Sequence, residues 1–264
     1  MEKDTGKEGG CKMQEVFKRY EKKYMLDVRQ YQALLDRILP RLKPDAYGQH
    51  TICNIYYDTP EYALIRHSIE KPVYKEKLRL RSYGVPRAED TVFLELKKKY
   101  DGIVYKRRVA LSLAEAEAYL AKGVAPSKQG QIMEELNWFT SRYSLQSAVY
   151  LAYDRIAYQC REDANLRMTF DTDIRCREQE MHLSAGDAGK LLLPKDQVLM
   201  EIKIPGVMPL WLARTLSELQ IYPTSFSKYG TFYRKKQKQQ QQQGPVVIPF
   251  SNCLHTEHRQ LQTL

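Results

Sequence analysis

The sequence predicts an α+β fold, predominantly β: an eight-stranded antiparallel barrel or strongly curved sheet with helices packed on its outside. Three observations predict it. About eight segments alternate apolar with polar residues or are rich in β-branched and aromatic residues. Asp101-Gly102 joins two of them as a tight hairpin. Helical periodicity is confined to the longer gaps between strands.

In chain order, the strands lie near 14–26, 49–58, 74–83, 91–100, 103–110, 148–159, 165–173 and 197–205. Asp27 caps a helix in which Tyr31, Leu34, Leu35 and Ile38 recur at helical spacing before Pro40 stops it. Ser112 with Glu115 forms a capping box ahead of Ala114 to Ala121, and Gly123 ends that helix. Gln131 to Arg142 and Pro209 to Gln220 are two further amphipathic helices, the second opening on a proline tolerated in a first turn.

The 264 residues suffice for a sizeable core, expected over 13–234, with no Pro, Gly or Ser-rich linker inside it. Residues 1–12 read as a disordered leader, and 235–264, opening on the low-complexity K-K-Q-K-Q-Q-Q-Q-Q, as a disordered tail with a short apolar patch at Val246 to Phe250. No secretory h-region and no run of about 20 apolar residues is present, so no transmembrane segment is expected. The five cysteines are odd in number, scattered and without C-x-x-C, which suggests neither a disulfide framework nor structural zinc and fits a reducing cytoplasm. The five histidines lack metalloprotease spacing. A net charge of +10 favours an anionic partner. Nucleic acid is disfavoured, because helix-turn-helix and zinc-finger patterns are missing and the cations read as internal.

That internal reading comes from parity. Lys75, Lys77, Arg79 and Arg81 alternate onto one face of their strand, where like charges need screening by water or a filling anion. The same parity recurs elsewhere: Phe17, Arg19, Glu21 and Lys23; Phe93, Glu95, Lys97 and Lys99; Lys106 and Arg108; then Arg155, Arg167 and Lys203 singly among apolar neighbours. The complementary faces, such as Leu78 with Leu80 or Met200 with Ile202, are apolar and suited to helix packing. Helices outside and charge inside make a barrel with a cationic interior, in which Glu21, Glu95 and Glu201 are too few to neutralise the set. An open sheet with one wet charged face is the plainer alternative.

These segments resemble the triphosphate tunnel (CYTH-like) superfamily, in particular its polyphosphate-polymerase branch, the catalytic VTC domain of the vacuolar transporter chaperone complex. The resemblance spans nearly all of 13–234. It rests on Arg19-Tyr20-Glu21-Lys22-Lys23-Tyr24, Tyr56-Tyr57-Asp58-Thr59, Lys77-Leu78-Arg79-Leu80-Arg81, Leu94-Glu95-Leu96-Lys97, Tyr153-Asp154-Arg155-Ile156-Ala157-Tyr158, Leu166 to Asp171, Met200-Glu201-Ile202-Lys203 and Ser225 to Tyr229, in that order. It implies a closed tunnel that binds ATP, requires Mn²⁺ or Mg²⁺, and transfers the γ-phosphate to a growing polyphosphate chain. By position, it implies that Arg79, Arg81, Arg155 and Lys97 act on the transferred phosphate. Lys23, Lys77, Lys106, Arg167, Lys203 and Lys228 join them in binding the chain, and Glu201 is the metal carboxylate.

One departure bears on the reaction. Hydrolytic members begin Glu-x-Glu-x-Lys, whereas this chain has Arg19-x-Glu21-x-Lys23, which favours polymerase over hydrolase. A tunnel triphosphatase and a non-catalytic polyphosphate binder are the rival readings. The sequence carries no signal for an oligomeric state.

Overall fold

The computed structural model describes residues 20–101, 103–204 and 206–242. Its strands are β1 (Tyr20–Asp27), β2 (Leu42–Pro44), β3 (His50–Asp58), β4 (Tyr74–Tyr83), β5 (Thr91–Tyr100), β6 (Ile103–Ser112), β7 (Gln146–Cys160), β8 (Arg167–Arg177), β9 (Lys190–Leu191), β10 (Gln197–Ile204) and β11 (Pro223–Thr224). The helices are α1 (Val28–Ile38), α2 (Ala63–Ile69), α3 (Leu113–Lys122), α4 (Gln131–Arg142), α5 (Leu210–Glu218) and α6 (Lys228–Gln242).

Among the described residues, all strands join one 11-stranded sheet ordered β11-β1-β10-β8-β7-β3-β4-β5-β6, with β2 on β7 and β9 on β8, and every pairing is antiparallel. This corrects the expected eight-stranded barrel. The eight long strands are present, but β2, β9 and β11 are too short to show alternation. Among the described residues the ladder also stays open, with the outer edge of β1 taken by β11 at Lys23 and Tyr24 rather than by β6. Pro223, opposite Tyr24, has no N–H to continue the ladder.

Local chemistry accounts for the elements that were expected. The Asp27 carboxylate accepts from the Gln30 N–H and the Ser112 hydroxyl from the Glu115 N–H, each completing a reciprocal capping box. Gly123 ends α3 at φ 67°, a left-handed conformation that favours glycine. Tyr100 pairs Ile103 across the β5–β6 hairpin with Asp101 at φ 41°, as a two-residue turn requires.

Two apolar clusters cover the convex face. Leu78, Leu80, Leu94 and Leu96 pack against Leu113, Ala116, Leu136 and Phe139 of the α3–α4 segment. Met200, Ile202, Met168 and Phe170 pack against Leu34, Ile38, Leu212 and Leu216 of α1 and α5. A third cluster is on the opposite face and corrects the expectation that every helix lies outside. Leu151, Tyr153, Ile174 and Leu199, all of concave parity, bury Tyr229, Phe232 and Tyr233 of α6 together with Ile65 of α2. Helix α6 thus packs on the apolar part of the concave face, and its first residue, Lys228, reaches the charged part at Asp171. It also runs through the expected tail boundary at Lys235 as far as Gln242. The expected leader, Phe17, Arg19 and residues 243–264 lie outside the described residues. Among the described residues, no helix is long and apolar enough to cross a membrane.

Candidate functional site

Strand register turns the sequence parity into continuous rows. Lys77 lies opposite Lys97, which lies opposite Lys106; Arg79 lies opposite Glu95, which lies opposite Arg108. On the other wall, Lys23 faces Glu201, Glu201 faces Thr169, and Arg155 faces Asp171. The walls curl toward each other around the start of α6. The Lys77 ammonium donates to Ser227 Oγ at 3.3 Å and that of Lys23 to the Phe226 carbonyl at 3.1 Å.

Glu95 is the hub of the first wall. It is only 1% exposed and is contacted by Arg79 at 2.6 Å, Arg108 at 2.5 Å, Lys106 at 2.7 Å and Arg81 at 3.8 Å. Burial alone would raise its pKa, but Arg79, Arg81 and Lys106 hold the carboxyl well below the usual range. One negative charge among four cations leaves this wall strongly positive. The cations are also oriented: Arg81 Nε donates to Asn54 Oδ1 at 2.9 Å and its Nη2 to the Tyr153 hydroxyl at 3.2 Å. Arg79 donates to the Tyr56 hydroxyl at 3.1 Å. Burial raises the Tyr56 pKa, yet Arg79, Lys77 and Arg81 outweigh it and bring the phenol down to about 8.

Asp171 and Glu201 organise the second wall. Asp171 is fully buried and receives both nitrogens of a bidentate Arg155 fork, at 2.6 and 2.7 Å, and the Lys228 ammonium at 2.5 Å. Glu201 lies 3.4 Å from Lys23 and 3.8 Å from Arg155. Both carboxyls are held below their usual range despite burial, Asp171 chiefly by Lys228 and Arg155, Glu201 by Lys228, Lys23 and Arg155. The Tyr153 ring connects the walls, with Arg155 at 5.1 Å and Lys228 at 4.1 Å over its face and its hydroxyl on Arg81.

Of the expected site residues, Lys23, Lys77, Arg79, Arg81, Lys97, Lys106, Arg155, Lys228 and Glu201 converge on this concavity. Lys97 makes no ion pair among the described residues; burial, then Lys23 and Arg79, lower its pKa against the partial opposition of Glu21 and Glu201. Arg167 and Lys203 do not join the cluster. They lie opposite each other at the strand ends, Arg167 exposed and Lys203 half-buried, and form a rim. Arg108 and Asp171 join the cluster without having been among the expected ligands, as do Glu95 and the residues that orient the arginines, Asn54, Tyr56 and Tyr153. Arg108 shares the parity of Lys106, and Asp171 that of Arg167, so alternation was the available signal for both.

Two lysines carry a pH signature. Burial, followed by neighbouring lysines, lowers Lys77 to about 8; burial outweighs Glu95 and lowers Lys106 to about 8. Both are charged at neutral pH and lose that charge as pH rises through 8. A bound polyanion raises these values, so binding takes up protons near pH 8 to 9. Titration calorimetry with inorganic triphosphate should show affinity about tenfold weaker at pH 9.5 than at pH 7. An unchanged affinity would remove both lysines from the binding surface.

A family model for the VTC domain matches residues 18–235. Subunit 4 of the vacuolar transporter chaperone complex from Trypanosoma brucei brucei is 24% identical over 214 residues, 64% of this chain and 27% of that protein. Its Trypanosoma cruzi counterpart is 23% identical over 221 residues, 67% of this chain and 28% of that protein. The chain thus spans little more than a quarter of these curated relatives. Among solved structures, a putative adenylyl cyclase from Hippeastrum, described as revealing a dominant triphosphatase activity, superposes with a TM-score of 0.50. At 17% identity over 81% of this chain and 95% of that one, the likeness is one of fold.

Proposed function

The chain belongs to the VTC domain family, and from that premise we propose that it is an ATP-dependent polyphosphate polymerase of the triphosphate tunnel type. The observation that carries the reading is the concave charge pattern. Guanidinium and ammonium groups from five strands and α6 converge there and exceed the carboxylates that orient them. Phosphoryl transfer asks mainly for alignment and for positive charge where negative charge builds up, and this surface supplies both.

In the proposed reaction, a terminal phosphate oxygen of the growing chain attacks the γ-phosphorus of ATP. The new P–O bond forms as the bond to the bridging β,γ-oxygen breaks, and ADP leaves with the electron pair. Arg79, Arg81, Arg155 and Lys97 contact the transferred group. Lys23, Lys77, Lys106 and Lys228 align neighbouring phosphates, with Arg167 and Lys203 at the entrance. Arg forks suit bidentate phosphate contact, and Lys supplies movable point charge. The apolar packing of α6 on the concave face excludes water from one side of the site.

For a divalent ion, the donor set fits one mode of binding. Among the described residues there is no group of three or more His, Cys, Asp or Glu side chains able to hold a metal. Glu201 is ionised and faces Thr169, whose buried hydroxyl lacks a partner. A single carboxylate suits Mg²⁺ or Mn²⁺ held largely by substrate phosphates and water. Such an ion would neutralise charge on the bridging phosphate oxygens. We expect Glu201→Gln to raise the metal concentration needed for half-maximal activity about tenfold or more. Metal titration checks this, and an unchanged midpoint would remove Glu201 from the metal site. Product identity separates the rival readings: polymer from a polymerase, orthophosphate from a triphosphatase, neither from a binder.

A further inference from the structure

Away from the concave site, the β5–β6 hairpin presents an apolar surface to solvent. Val73, Tyr74, Tyr100, Ile103, Val104 and Tyr105 are 38% to 66% exposed. Register gathers them at one end of the sheet: Tyr74 pairs Tyr100, Tyr100 pairs Ile103 and Lys98 pairs Tyr105 on the convex parity, Val104 pairs Lys99 on the concave parity, and the Asp101 N–H donates to the Val73 carbonyl at 3.0 Å. Folding usually buries such residues, and an exposed set gathered in one place marks an interaction surface.

Its charge selects the partner. Lys71 and the convex Lys98 flank the patch, with Lys75 and Lys99 beside it at the outer end of the concave rows, opposed by Asp101 at the tip and Glu70 beside Lys71; Lys98 is engaged 3.3 Å from Glu135. A second copy docked about a twofold axis would bring this lysine collar against itself, at a repulsive cost. An anionic lipid surface would be attracted by the collar. It would also receive tyrosines in the headgroup layer and the aliphatic tip just beneath.

We propose that the β5–β6 hairpin docks peripherally on an anionic membrane surface, with Ile103, Val104 and Tyr105 entering the interfacial layer and the lysine collar contacting lipid headgroups. The proposal is independent of the phosphate-transfer reading. Phosphate-site variants would leave it untouched.

Co-sedimentation with vesicles of phosphatidylcholine, alone or with about one third phosphatidylserine, tests it. The chain should bind the anionic vesicles and not the neutral ones. Binding should weaken as ionic strength rises from about 0.01 to about 0.15 M, which shortens the screening length from about 30 to about 8 Å. The combined Ile103→Ser, Val104→Ser and Tyr105→Ser variant, and separately Lys71→Glu with Lys99→Glu, should each weaken vesicle binding about tenfold or more. The serine variant should keep its melting temperature and triphosphate affinity; if three changes unfold the chain, Tyr105→Ser alone serves. The proposal fails if the chain ignores anionic vesicles or the serine variant binds as tightly as the parent. It also fails if the chain instead forms a dimer that the serine changes abolish.

Discussion

Single replacement of Arg79, Arg81 or Arg155 by Ala should lower ATP-dependent phosphate transfer about a hundred- to a thousand-fold, the usual effect of deleting one preorganised donor to developing charge. Each of these arginines is held in place before substrate arrives, Arg79 by Glu95 and Tyr56, Arg81 by Asn54 and Tyr153, and Arg155 by Asp171. The preorganisation therefore belongs to the fold. Arg155 needs a control, since its removal leaves Asp171 with Lys228 alone. Arg155→Lys keeps the charge and loses the bidentate fork, and should recover stability more than turnover. Steady-state rates paired with thermal melts check the series. Folded variants with near-normal turnover would exclude these arginines from the reaction.

Glu95→Gln should destabilise the fold by about 3 to 5 kcal/mol, the range observed when one member of a buried charge cluster is removed. The cost comes from Arg79, Arg81, Lys106 and Arg108, which would face one another without their shared counterion. The remedy is specific: a bound polyanion replaces the missing charge, so saturating triphosphate should stabilise the variant more than the parent. Urea melts with and without triphosphate check this, and equal stabilisation of both proteins would separate Glu95 from the anion site. The folded-state pKa values of Glu95, Asp171 and Glu201 are depressed, so their contribution to stability is complete above about pH 4.5. It is lost only as pH falls through those depressed values.

Alternation makes one side of the site legible in the sequence. In strands with one apolar and one charged face, such as Lys75 to Arg81, the period of two assigns each side chain to a face, and register then aligns the faces. Sequence reasoning fell short where the concave face is not charged. Ala148 to Tyr153 is a continuous apolar run, the mark of a strand buried on both sides, and α6 is what covers its second side. That helix was hidden because its Lys and Gln-rich second half obscured the Tyr229, Phe232 and Tyr233 contacts of its first half. Asp171 was hidden for another reason: a lone carboxylate beside Phe170 does not disclose the Arg155 and Lys228 groups brought to it from distant segments. The short β2, β9 and β11 have too few residues for any periodicity to register.

The oriented cations of the concavity are expected to extend a phosphate chain from ATP. ³¹P NMR of ATP with Mn²⁺ and the purified chain checks this, because internal phosphates of a polymer resonate apart from ADP and from orthophosphate. The predicted result is growth of the internal-phosphate signal in step with ADP, abolished by Arg79→Ala. Release of orthophosphate alone, or ATP left intact with every divalent metal, would contradict it.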